Sequence, residues 1–134
     1  MAAELKTKGI LVTHAPVASH LAASTKYPMA SWKNAVKATG KPISQLADCI
    51  FVQFYNGFPG FNVYSPGEVK AAKNLLAQMD DPGRYCVGIE QTKITGKCPA
   101  ILSALETEKA SCVMLWEVKG GEECSKAMPT FKTR

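Results

Sequence analysis

Two apolar runs in this chain end on groups suited to gripping a ligand. Ile50-Phe51-Val52 leads into Gln53-Phe54-Tyr55-Asn56, and Cys112-Val113-Met114-Leu115 leads into Trp116-Glu117. Each pattern predicts a short, fully buried strand. Placing Gln, Tyr, Asn or Trp at the close of such a run makes sense at the mouth of a parallel barrel, where strand C-termini face the site. Two further runs, Gly9–Thr13 and Tyr85–Glu90, have the same short apolar character and predict strands.

Between the strands the apolar period changes from continuous to helical. Met29–Ala38 carries Trp32 and Val36 four residues apart, Gly40-Lys41-Pro42 stops it, and Ile43–Ala47 adds one more turn. Ser65-Pro66-Gly67-Glu68 has a serine cap, a proline at the first helical position and a glutamate three residues after the cap. It should open a helix to Met79 with Val69, Ala72, Leu75 and Leu76 on one face, closed by Asp80-Asp81-Pro82-Gly83. A third helix is expected over Pro99–Lys109, with Ile101, Leu102 and Leu105 inward. A last short one, Glu122–Met128, follows Gly120-Gly121.

Four strand–helix units joined by short loops imply an α/β fold with a parallel sheet and right-handed crossovers. At about 33 residues per unit the period is that of a (β/α)8 barrel, whose eight units need roughly 250 residues. The expectation is therefore a parallel (β/α)4 half of a TIM barrel, residues 1–134 forming one partial domain with a leader at 1–8, four units over 9–128 and a tail at 129–134. Such a half has open hydrophobic edges at Ile10–Thr13 and Cys112–Glu117. It should be completed by self-association into a homodimer, or by an N-terminal half-barrel partner.

Apolar residues make up 46% and charged residues 20%, a globular balance. The net charge of +5 comes from scattered lysines without interleaved aromatics, so nucleic acid is not an expected partner. No apolar run reaches membrane-spanning length, and the first nine residues lack the apolar core of a signal peptide, so neither a membrane nor a compartment is assigned. The five cysteines form no C-x-x-C pair. Cys49, Cys86 and Cys112 each fall at or near the start of an apolar strand and read as small buried thiols; the odd, unpaired set points to a reducing compartment or to a chain removed from its usual context. His14 and His20 lack paired cysteines, so no metal and no cofactor is expected.

Thr13-His14-Ala15-Pro16, Asp48, Val52-Gln53-Phe54-Tyr55-Asn56, Val87-Gly88-Ile89 and Val113-Met114-Leu115-Trp116 resemble, in order and spacing, the fifth to eighth strands of glycoside hydrolase family 18, closest to its small plant and fungal chitinases. The resemblance covers Gly9 to Glu117. It implies binding of chitin, the β-1,4-linked N-acetylglucosamine polymer, and a substrate-assisted chemistry in which the sugar's acetamido oxygen is the nucleophile. By resemblance Tyr55 holds that acetamido carbonyl, Gln53 and Asn56 contact the same sugar, Trp116 lies beneath the pyranose ring and Met114 lines the floor.

The chain departs from the family where the catalytic acid belongs. The acidic D-x-x-D-x-D-x-E motif of the fourth strand is absent, and Val17 stands where a glutamine often follows the Ala-Pro pair. Asp80, Asp81, Glu106 and Glu108 fall at helical positions, and Glu117 should point away from Trp116. Glu90, in place of the usual proline, is the one carboxylate expected near the cleft and the only candidate acid. The leading expectation is a chitinase-like protein that binds N-acetylglucosamine oligosaccharides without hydrolysing them. One alternative is a fragment of an active chitinase that needs its N-terminal half. The other is a non-catalytic module that binds or inhibits other proteins.

Overall fold

The computed structural model describes residues 2–21, 37–55, 60–116 and 124. Among these residues four parallel strands form one sheet in the order β1 (Thr13–His14), β2 (Cys49–Gln53), β3 (Tyr85–Glu90) and β4 (Val113–Trp116). Around them run α1 (Ala2–Thr7), α2 (Ile43–Leu46), α3 (Val69–Leu76) and α4 (Cys98–Thr107). The α/β alternation and parallel sheet expected from the sequence are present.

The register explains the layering. Ile50 pairs with Tyr85, Val52 with Val87, Val87 with Val113 and Ile89 with Leu115. Register partners in a parallel sheet share a face, so these residues form one apolar layer. Val69, Ala72 and Leu76 of α3 and Ile101, Leu102 and Leu105 of α4 join them in a single core cluster, which recovers the predicted inward residues of both helices. Each fully buried Ile, Leu or Val here contributes about 1.5 to 3 kcal/mol of transfer free energy. The opposite face carries Cys49, Phe51 and Gln53 of β2, Cys86, Gly88 and Glu90 of β3, and Met114 and Trp116 of β4. Central β3 is buried along its whole length, whereas β2 alternates between buried and half-buried.

Gly88 is dictated by this packing. A Cβ there would stand 2.7 Å from the Val52 carbonyl oxygen and 3.0 Å from the Met114 terminal methyl. The ladder runs one step past β2, because the Phe54 N–H donates to the Gly88 carbonyl at 2.8 Å.

Several expectations need correction. Residues 9–13 do not form a buried strand: Ile10 and Leu11 are exposed and pairing begins at Thr13. Asp48 is the reason. Its N–H donates to the Val12 carbonyl at 2.7 Å and its carboxylate accepts the Val12 N–H at 2.9 Å. With α2 ending two residues earlier, no extended chain among the described residues remains alongside Ile10 and Leu11. The stretch expected as a leader contains α1.

Nor is β4 fully buried. Trp116 is 53% exposed and the other β4 residues are half-buried, because β4 is a sheet edge among the described residues. The helix boundaries shift as well. Before α3, Pro66–Glu68 form a 3-10 turn in which Glu68 accepts the Tyr64 N–H at 2.8 Å and the Ser65 hydroxyl at 2.9 Å. The serine therefore binds the carboxylate instead of capping the helix. Helix α3 stops at Leu76, short of Met79. Helix α4 runs Cys98–Thr107 and closes through Lys109 in the left-handed region, with the Ala110 N–H reaching the Leu105 carbonyl at 2.9 Å.

The cysteines are not a set of free thiols. Cys86 bonds to Cys112 and Cys98 to Cys124, while Cys49 remains free. Register makes the first bond available, since Cys86 and Cys112 directly precede the paired residues Val87 and Val113. The Met29–Ala38 helix expectation falls mostly outside the described residues, where only residues 37–39 are seen as helical. The Glu122–Met128 helix lies outside them too, apart from the helical Cys124.

Candidate functional site

The C-terminal ends of β2, β3 and β4 bring together most of the residues that the sequence singled out. Gln53 closes β2, Glu90 closes β3 and Trp116 closes β4, and Glu90 and Trp116 are register partners. Gln53 donates its side-chain N–H to the Ala15 carbonyl at 2.6 Å, and its backbone N–H to Pro16 at 2.8 Å. The Ala-Pro loop is thereby tied to the strand end, and Val17 adds an isolated parallel bridge to Gln53. This fixes the Gln53 amide against the protein, so its first partner is the chain itself.

Tyr55, two residues on, is 3% exposed. Met114 lies across Gly88, and Trp116 presents a half-exposed indole at the sheet edge. Asn56 and Glu117 lie outside the described residues.

Glu90 is the unusual group. It is 7% exposed; one carboxylate oxygen accepts the Thr92 hydroxyl at 2.7 Å, while Oε2 is buried with no hydrogen-bond partner among the described residues. A buried carboxylate oxygen without a donor costs free energy that an incoming N–H or O–H would recover.

The other carboxylates among the described residues are elsewhere. Asp80 accepts the buried Tyr85 hydroxyl at 2.7 Å, and Asp81 pairs with Arg84 at 3.0 Å. Burial, with Asp80 adding to it, pushes the Tyr85 phenol up so that it stays protonated. Glu106 belongs to the exposed side of α4 and Glu108 follows that helix. His14 is half-buried in β1, where desolvation lowers its pKa, and His20 ends the 3-10 turn Ala18–His20.

Sequence reasoning missed Thr92 and the buried Gln91, both in the 3-10 turn that follows β3. The available signal was two polar side chains set directly after a strand whose final residue is itself a carboxylate. It also treated the cysteines singly, although three of them meet on one face of the sheet.

No protein family matches the sequence, and neither the curated proteins nor the solved structures compared with the chain give a match.

Proposed function

We propose that the chain is the C-terminal half of a family 18 type barrel that binds N-acetylglucosamine oligosaccharides without cleaving them. The observation that carries this reading is the pairing of a donor-seeking buried carboxylate, Glu90, with a half-exposed indole, Trp116, at adjacent strand ends. A pyranose ring offers the matching chemistry: a C–H face for the indole and hydroxyl or amide donors for the carboxylate. Met114 widens the apolar floor, and Tyr55 supplies a phenol at its base.

Hydrolysis requires a general acid placed against the leaving oxygen, worth about 10² to 10⁴ in rate. Among the described residues no second carboxylate closes a strand beside Glu90, so binding without turnover is the favoured activity. In this reading β1 and β4, which are edges among the described residues, meet a second copy of the chain or an N-terminal half-barrel. The test is tryptophan fluorescence on titration with chitin oligosaccharides. A saturable change lost in Trp116→Phe supports the proposal. No change at millimolar sugar, with the chain folded by circular dichroism, would favour the protein-interaction alternative.

A further inference from the structure

Three sulfur atoms converge at the opposite end of the sheet from Glu90 and Trp116. Cys49 opens β2, Cys86 is the second residue of β3, and Cys112 directly precedes β4. Their Sγ atoms all lie within 4.8 Å of one another. Cys86 and Cys112 are disulfide-bonded, and the free Cys49 Sγ sits 3.2 Å from that of Cys86. Cys86 is buried while Cys49 and Cys112 are half-buried, so the cluster is open to solvent on one side. Cys86 is four residues from Glu90, about 13 Å along the strand, and the cluster is separate from the proposed sugar platform.

Register decides what the third sulfur can do. Cys86 and Cys112 face each other with Cα atoms 4.6 Å apart, inside the span of a disulfide. Cys49 is not opposite Cys86, because the register partner of Cys86 is Phe51. Two residues along a strand and one strand across put the Cys49 and Cys86 Cα atoms about 8 Å apart. That exceeds the roughly 7 Å beyond which a disulfide needs backbone movement. Exchange of Cys49 into the bond is therefore disfavoured. An ion held by three thiolates has no such requirement, since metal–sulfur bonds of about 2.3 Å place the sulfurs about 4 Å apart.

We infer that Cys49, Cys86 and Cys112, once the disulfide is reduced, form a three-thiolate site for a soft monovalent cation of the copper(I) type. Reduction takes two electrons and two protons from a dithiol, which leaves as its own disulfide, and converts Cys86 and Cys112 to thiols. The ion then displaces one proton from each of the three sulfurs. Thiolate ligands select soft ions. Among the described residues the cluster contains three sulfurs with no histidine or carboxylate, so it suits trigonal copper(I) and leaves a four-ligand zinc site incomplete. The pattern eludes a search for C-x-x-C because the strands, and not a loop, bring the ligands together.

The test reduces the full chain with a phosphine, which is oxidised to its oxide, and titrates copper(I) supplied as a bicinchoninate complex under argon. One ion per chain should leave the coloured chelator, and X-ray absorption should show about three sulfur neighbours near 2.3 Å. Cys98→Ser/Cys124→Ser should bind as the parent does. Cys49→Ser should bind more weakly by more than the about 10- to 100-fold that loss of a supporting partner costs. Equal binding by Cys49→Ser, a sulfur count of two, dependence on Cys98 and Cys124, or loss of the folded circular dichroism signal on reduction would each overturn the assignment. The X-ray absorption count on the parent chain decides the matter even if a variant fails to fold.

Discussion

Glu90 and Trp116 are register partners across β3 and β4, which sets a 7% exposed carboxylate beside a 53% exposed indole at the same sheet end. The strand carrying Glu90 is central and the strand carrying Trp116 is an edge among the described residues. Topology alone therefore produces the contrast in exposure. A ligand that stacks on the indole is brought to the carboxylate by the spacing between neighbouring strands, about 4.8 Å.

That relationship predicts how binding divides among the side chains. Trp116→Ala should weaken acetylated and deacetylated chitin oligosaccharides alike, because stacking on the ring ignores the acetyl group. Tyr55→Phe should weaken the acetylated series more, since only those sugars offer an acetamido carbonyl to the phenol. Parallel calorimetric titrations of the two series distinguish the effects.

Turnover of a chromogenic chitobiose glycoside should stay at background. Activity abolished by Glu90→Gln would instead make Glu90 the acid and overturn the non-catalytic reading.

Gly88→Ala should destabilise the chain by about 1 to 3 kcal/mol through overpacking. The added methyl meets the Val52 backbone carbonyl at 2.7 Å, and that group cannot swing aside as a flexible side chain would. Urea unfolding midpoints would show the loss, and an unchanged midpoint would mean the strands separate more easily than their register suggests.

His14 makes stability depend on acid. Burial lowers its pKa below the ordinary 6.5, so the unfolded chain binds the proton more readily. Stability should be at its full value above about pH 6.5 and fall as pH drops below it, levelling off under the depressed folded-state value. His14→Gln should remove that part of the slope in a pH series of thermal melts.

Much of the fold was legible because period and burial agreed. The β3 run, the inward faces of α3 and α4 and the parallel order all follow from apolar spacing that tertiary packing reinforces. Ile10 and Leu11 misled because apolar character predicts a strand only where a neighbouring strand exists to pair with it. Asp48 captures the Val12 backbone just where β2 begins. Of the candidate site, the sequence showed that Gln53 and Trp116 close their strands, because each ends an apolar run. The Thr92 contact to Glu90 was not legible, because a hydroxyl two residues beyond a strand has no sequence period. The disulfides escaped for a related reason: spacing along the chain does not encode register between strands.

Self-association is expected from the exposed edge. Light scattering at micromolar concentration should give a mass near twice the 14.4 kDa of the chain. A compact monomer would remove the dimer as the means of covering β1 and β4.

Titration calorimetry of the folded chain with chitotetraose tests the central claim most directly. One stacked ring and two or three hydrogen bonds leave about 4 to 5 kcal/mol after association costs, which corresponds to dissociation in the high-micromolar to millimolar range. The account predicts saturable heat in that range, lost in Trp116→Ala and reduced in Glu90→Ala. No heat at millimolar chitotetraose from a chain with intact circular dichroism would contradict it.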